Sequence, residues 1–404
     1  MLPETGDARP LFISNVRPVG FPGGAPAETT DIIILPDGVI GAVGPSLGEP
    51  EGARRIDGGG GWISPGWIDL HAHVWHGGTD ISVRPQLCGV ERGVTTIVDA
   101  GSAGEANFHG LREYVIEPAR ERIKAFLNLG SIGLVACNRV SELTDIGSID
   151  IDRIIACVEA NRDHIVGLKV RASNVITGSW GITPVRIAKK LGKILDLPLM
   201  VHVGEPPPLY DEVLEALGPG DVITHCFVGK PGGNLIEDDD LFNLARRCAD
   251  EGIRLDIGHG GASFSFRVAE VAIQRGLLPF SISTDVHLRS IETSVWDMST
   301  TMSKLLAVGM PFDRVIEAVT RAPASIIRLE RDDALISGAR AEFTIFDLVE
   351  SDLKVVDSMG AEACLSQLIE PRWTVIGSSS WAASRHQPRE IPESVGQPRN
   401  YSYR

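Results

Sequence analysis

The chain reads as an α/β protein, a (β/α)8 TIM barrel with a small β-sandwich domain formed from both chain ends. Three observations predict this. A central stretch alternates short β-branched runs with segments of helical periodicity, the pattern that βαβ units and parallel sheets leave in a sequence. Both ends carry period-two alternation and turn residues instead. At 404 residues the chain also exceeds the size of most single-core domains.

At the N-terminal end, residues 11–16, 31–35 and 39–43 read as strands, and Pro36-Asp37-Gly38 joins the last two into a hairpin. Towards the other end, residues 341–347 alternate, followed by 353–356 and 373–376, so strands from the two ends can share one small sheet. The small domain is therefore placed at 1–62 and 335–385 and the barrel at 63–334. Residues 386–404, with Pro388, Pro392 and Pro398 among polar neighbours, read as an extended tail.

Within the barrel, strands are expected at 63–73, 95–100, 124–130, 166–171, 199–204, 221–227, 254–258 and 281–285. Residues 152–161, 184–195, 241–250 and 266–275 carry apolar side chains at helical spacing. Eight such units over about 270 residues suit a closed barrel. A doubly wound open sheet is the competitor, but it needs no sheet built from both termini.

Composition narrows the function. Hydrophobic residues make up 43% and charged residues 23%, ordinary for a folded globular protein. The net charge of −15 repels nucleic acid and anionic membrane surfaces, which leaves small molecules as the expected partners; a homo-oligomer is compatible with this. The six cysteines are scattered without a C-x-x-C pair, the N-terminal stretch lacks a signal peptide's apolar core, and no run is long enough to span a bilayer. The expectation is a cytoplasmic protein.

The chemistry sits where the apolar strands end, which in a (β/α)8 barrel is the functional face. His71 and His73, in Ile68-Asp69-Leu70-His71-Ala72-His73, are two apart, so a regular strand sends both imidazoles to one side as a pair of metal ligands. Lys169 interrupts Val166-Gly167-Leu168-Lys169-Val170-Arg171, where a buried ammonium is costly. It either pairs with a carboxylate or, its pKa lowered by burial, reacts as a neutral amine with carbon dioxide to give a carbamate that can bridge two divalent ions. His202 and His225 end two further strands, and Asp285 ends the eighth as a ligand, a helix N-cap or a turn residue. Ligand-type residues thus close strands one, four, five, six and eight, and a barrel brings those ends round one mouth. Arg171 falls on the side of Lys169, as a clamp for a substrate carboxylate or as a structural ion pair. His259, among glycines, and His287 are candidate substrate contacts, and Cys226 should point away as packing.

The run Pro65-Gly66-Trp67-Ile68-Asp69-Leu70-His71-Ala72-His73, with Lys169, His202, His225 and Asp285 following in that order, resembles the amidohydrolase superfamily, in the branch of dihydroorotases, hydantoinases and N-acyl amino acid deacetylases. The resemblance spans nearly the whole chain. It implies that His71, His73 and Asp285 hold one metal, that His202 and His225 hold a second, and that carboxylated Lys169 bridges them. Such a donor set suits zinc best, with manganese, iron or cobalt able to serve.

The stretches His76-Gly77-Gly78-Thr79, Val94 to Ser102 and Asp256-Ile257-Gly258-His259-Gly260-Gly261 resemble a dihydroorotase-like or deacetylase-like sub-branch, some members of which cleave acetyl esters or amides of small carboxylates. One departure counts against dihydroorotase. Those enzymes usually carry an arginine two residues after the His-x-His pair, and here Val74, Trp75 and His76 follow. The implied reaction is hydrolysis of an N-acyl or O-acyl bond of a small carboxylate by metal-activated hydroxide, with Asp285 moving the proton. The alternatives are a cyclic amide hydrolase and a non-catalytic binding protein on the same fold. The latter would be expected to have lost ligands, and this sequence retains them all.

Overall fold

The computed structural model describes residues 9–22, 29–137, 139–143, 145–331 and 334–389. Most of the expected tail, and the first eight residues of the expected small domain, lie outside the described residues. In chain order the strands are β1 (Leu11–Pro18), β2 (Thr30–Ile34), β3 (Ile40–Gly44), β4 (Arg54–Asp57), β5 (Trp62–Pro65), β6 (Trp67–Ala72), β7 (Val94–Ala100), β8 (Arg122–Asn128), β9 (Ile165–Ala172), β10 (Leu199–Val203), β11 (Val222–Thr224), β12 (Arg254–Asp256), β13 (Glu342–Val356), β14 (Glu362–Ile376) and β15 (Ser379–Ala382).

Strands from the two ends do share a sheet, in the order β15-β14-β13-β5-β1-β2-β3 with β4 on β1. The expected hairpin is β2 with β3, paired antiparallel from Asp31 opposite Gly44 to Ile34 opposite Ile40. The run expected as a single strand over 63–73 is two. β5 pairs with β13, and Gly66 turns the chain into β6 at a point where a methyl group would lie 2.4 Å from Thr95 Oγ1. Only glycine permits that approach.

β6 to β12 form a curled sheet of seven strands in sequence order, with every ladder parallel. No strand is assigned over 281–285. Those residues still run between the two edges: Ser281 bridges Asp256, and Val286 bridges Ala72. His259 N donates to Ser283 O at 3.1 Å and His73 N to Val286 O at 3.1 Å. Regular pairing stops because Asp285 takes the left-handed conformation, φ 48°, which extended backbone cannot contain.

Helices pack on the convex face. In Thr183–Leu195 the buried side chains Val185, Ala188, Leu191 and Leu195 recur at spacings of three and four, and Asp196 ends the helix in the left-handed conformation. Each such large aliphatic side chain stabilises the fold by roughly 1.5–3 kcal/mol through burial. The concave face holds a smaller apolar cluster of Ile68, Leu70, Val98, Ala100, Phe126, Met200 and Val222, beneath the polar residues at the strand ends. No helix among the described residues is long and apolar enough to cross a membrane.

Candidate active site

Alternation alone does not aim the two histidines of β6. Ile68 and Leu70 belong to the concave cluster, whereas Ala72 and Val74 join the outer one. The phase changes because the pairing of β6 with β7 shifts register between Asp69 and Ala72. This irregularity turns His71 and His73 onto the concave face above Leu70, a frequent use of bulges beside functional sites.

The structure brings His71, His73, Lys169, His202, His225 and Asp285 together. Asp285 Oδ1 lies 3.4 Å from His71 Nε2 and 3.2 Å from His73 Nε2. Lys169 Nζ lies 3.2 Å from His71 Nε2, and His225 Nε2 lies 2.8 Å from His202 Nδ1. Donor atoms of His71, His225 and Asp285 fall within 4.8 Å of one another, close enough for one ion. His225 and Asp285 both have positive φ, 69° and 48°, a conformation costly for residues with a side chain and kept only where the surroundings enforce it.

The imidazoles are oriented from behind. Thr224 Oγ1 donates to Asp256 Oδ2 at 2.8 Å and so presents lone pairs to His71 Nδ1, also at 2.8 Å. Gly258 O, which can only accept, lies 2.5 Å from His225 Nδ1. In both rings the proton is therefore on Nδ1, and Nε2 is left bare towards the cluster. Ser102 Oγ meets His73 Nδ1 at 2.9 Å, and its backbone N–H is tied to Asp99. Burial holds His71, His202 and His225 below the usual imidazole range, His225 at about 4, so these rings are neutral donors.

Gly258 makes the assembly possible. A methyl group there would lie 2.2 Å from Thr224 Oγ1, 2.9 Å from His225 Nδ1 and 3.1 Å from His71 Nδ1. Glycine at 258 thus lets backbone approach the imidazoles of His71 and His225.

Lys169 is buried, and among the described residues no carboxylate comes within ion-pair distance of its Nζ, whose neighbours are His71 and Met200 Sδ at 3.5 Å. Burial brings its ammonium down to about 7, against the pull of Asp285. Gly101 makes room for its stem, since a methyl group there would meet Lys169 Cγ at 2.7 Å.

The three expected substrate contacts are placed differently. Arg171 forks onto Glu142, Nε to Oε1 at 2.7 Å and Nη2 to Oε2 at 2.6 Å, and its Nη1 reaches Cys137 Sγ at 3.5 Å. Burial works against its charge, but the Glu142 carboxylate outweighs this and raises its pKa, so the ion pair of the two sequence readings is present. His259 is fully buried, stacked on Phe264, with Nδ1 at Gly260 O and Nε2 at Lys304 Nζ, each 3.0 Å away. His287 is half-buried beside Gly261, and its Nδ1 accepts from Arg289 N at 3.1 Å. Cys226 packs in the outer core.

Sequence reasoning passed over Asp69, Asp99, Asp256, Thr224 and Ser102. A signal existed: three carboxylates stand inside apolar strands, where each needs hydrogen-bond donors. Asp69 receives Thr284 N and Oγ1 at 3.0 and 2.5 Å, and Asp256 receives Ser281, Ser283 and Thr224 hydroxyls at 2.7, 2.7 and 2.8 Å.

No family model matches the chain. It is 65% identical over 397 residues to a protein named deacetylase from Brucella anthropi, covering 98% of both chains. A protein named deacetylase from Agrobacterium fabrum is 66% identical over 395 residues, covering 98% of this chain and 97% of the other. A solved structure described as a dihydroorotase is 66% identical and superposes with a TM-score of 0.92 over 95% of this chain and 100% of that one. With this likeness running from end to end and through every strand that carries the cluster, the chain belongs to the amidohydrolase superfamily, in its dihydroorotase- and deacetylase-like branch, and is a metal-dependent hydrolase of amide or ester bonds.

Proposed function

We propose that the protein deacylates a small acyclic carboxylate, removing an acetyl or similar group from nitrogen or oxygen at a two-metal centre. The observation that carries this reading is the meeting, at one end of the parallel sheet, of four imidazoles, one carboxylate and a lysine amine that has no acidic partner among the described residues. His71, His73 and Asp285 would hold one divalent ion, His202 and His225 a second, with zinc the best match to the donors and a carbamate on Lys169 as the bridge. The bare Nε2 atoms of His71 and His225 fit that role. Ions so held would supply activation of water and polarisation of the scissile carbonyl.

The remaining work falls to the chain. Asp285 takes the proton of the attacking water and passes it to the departing nitrogen or oxygen. Asp256, through Thr224, keeps His71 in the required tautomer. His287 keeps Nε2 without a protein partner among the described residues, so it is offered to substrate, whereas Arg171 and His259 are engaged by Glu142 and Lys304. In the architecture we propose, residues 281–286 complete a closed (β/α)8 barrel over 63–334, and residues 1–62 with 335–385 form a β-sandwich beside it.

The names of the two relatives favour deacetylation, and the missing arginine after His73 weighs against dihydroorotase. The test is a panel of acetylated amino acids, acetylated 2-hydroxy acids and cyclic ureides. Turnover of acetylated compounds is expected, and turnover of cyclic ureides alone would replace this reading with a cyclic amidase.

A further inference from the structure

Lys304 lies in the helix Met298–Ala307, has no exposed surface and carries no part of the chemistry above. Its Nζ has three acceptors: His259 Nε2 at 3.0 Å, Val356 O at 2.8 Å and Ser294 O. These match the three N–H bonds of an ammonium, which has no lone pair. Gly260 O, which can only accept, lies 3.0 Å from His259 Nδ1, so the ring proton sits on Nδ1 and the bare Nε2 accepts from Lys304.

The same carbonyl receives a second donor, Ser358 Oγ at 2.7 Å. Ser358 belongs to the tip of the β13–β14 hairpin, which is seated on this loop by Asp357 Oδ2 accepting from Phe266 N at 2.9 Å and by Ser358 N donating to Phe264 O at 3.1 Å. Gly260 N donates to Thr284 O at 2.9 Å, and a methyl group on Gly260 would lie 2.3 Å from Asp285 Oδ2. The Gly260 peptide is thus the wall against which the Asp285 carboxylate rests, and two donors, the buried His259 Nδ1 and the half-buried Ser358 Oγ, fix it in place.

We propose that Lys304 and Ser358 are positioning residues for Asp285, acting through His259 and the Gly260 carbonyl. The inference rests on the reading of Asp285 as the proton carrier. It makes the long hairpin of the antiparallel sheet part of the catalytic architecture, because its tip supplies both Ser358 and the Val356 carbonyl that anchors Lys304.

The test combines kinetics with nitrogen-15 NMR of ring-labelled histidine in the full chain. Lys304→Met keeps the side-chain length and removes every donor; Ser358→Ala removes one donor and Ser358→Thr returns it. In the wild type, His259 is expected to be protonated on Nδ1 and bare at Nε2, and in Lys304→Met the proton should stay on Nδ1, held by Gly260 O, while the Nε2 resonance shifts because its hydrogen-bond donor is gone. kcat should fall on the order of 10-fold to 100-fold in Lys304→Met and Ser358→Ala, as misplacement of a reacting group requires. KM should stay within about twofold, metal content should hold, and Ser358→Thr should recover the rate.

A wild-type His259 protonated on Nε2, or wild-type kcat in Ser358→Ala, would overturn the proposal. Should Lys304→Met fail to fold, the two Ser358 variants decide it. The NMR reading needs no substrate, so a wild-type protein that hydrolyses nothing on the panel yet shows the Nδ1 proton overturns the deacylase reading and leaves the hydrogen-bond relay standing.

Discussion

The Thr224 hydroxyl lies 2.8 Å from His71 Nδ1 and spends its own proton on Asp256, also at 2.8 Å. That arrangement makes Thr224 an acceptor, settles which nitrogen of His71 is bare, and aims it at Asp285 and Lys169. Much of the site is held in this way, with Thr224 and the Gly258 carbonyl fixing the tautomer and angle of the His71 and His225 imidazoles.

Thr224→Val keeps the shape and removes the hydroxyl. Metal affinity should drop by about 10-fold to 100-fold, the usual cost of losing a partner behind a ligand imidazole. Titration of the metal-free protein with zinc measures this, and unchanged affinity would mean that His71 does not bind through Nε2.

Asp285→Asn should retain most of the bound metal and lower kcat by on the order of 10²-fold, because the amide still coordinates but cannot carry the proton. Metal analysis alongside single-turnover kinetics separates the two effects. A wild-type rate would reduce Asp285 to a ligand.

Glu142→Gln tests the assignment of Arg171 to the buried ion pair. With the guanidinium fork at 2.6 and 2.7 Å from the Glu142 oxygens, removing the charge should destabilise the fold. The expected loss is about 3–5 kcal/mol in urea unfolding. Unaltered stability with a raised KM would instead make Arg171 a substrate clamp.

Asp256 gives a pH signature. Burial raises its carboxyl above the ordinary 3.8, so the folded chain holds this proton where the unfolded chain has released it. The stabilisation is complete below the unfolded value and is lost as pH rises through the folded one. In unfolding experiments from about pH 4 to about pH 8, wild type should lose stability relative to Asp256→Asn as pH increases. A difference that grows in favour of wild type would mean that the ionised carboxylate is the better-held form.

The fold was legible where burial leaves a simple period. Seven of the eight expected barrel strands appear in one parallel sheet in sequence order, because each is an apolar run bounded by turn residues. The eighth was invisible as an irregular segment, since nothing in Ser281-Ile282-Ser283-Thr284-Asp285 announces a left-handed aspartate. The long strand β14 was legible only at its end, because in its first half the buried Leu365 and Leu368 are separated by two exposed residues, Ser366 and Gln367, which breaks the alternation. In the site, His71 and His73 showed themselves by position, whereas the register shift that aims them depends on the pairing with β7. The pairing of Arg171 with Glu142 joins residues 29 apart across the helix Ile151–Ala160, which no local pattern reveals.

Lys169 bears the central claim, that one lysine bridges two metal ions as a carbamate, and metal analysis of Lys169→Ala with and without a short carboxylic acid tests it most directly. The folded sheet should survive, because the apolar cluster beneath the site is untouched. The account predicts that metal content and hydrolysis fall together and that formate or acetate partly restores both by occupying the vacated place. Two bound metals and a wild-type rate in the variant would contradict it, leaving a centre built on the histidines and Asp285 alone.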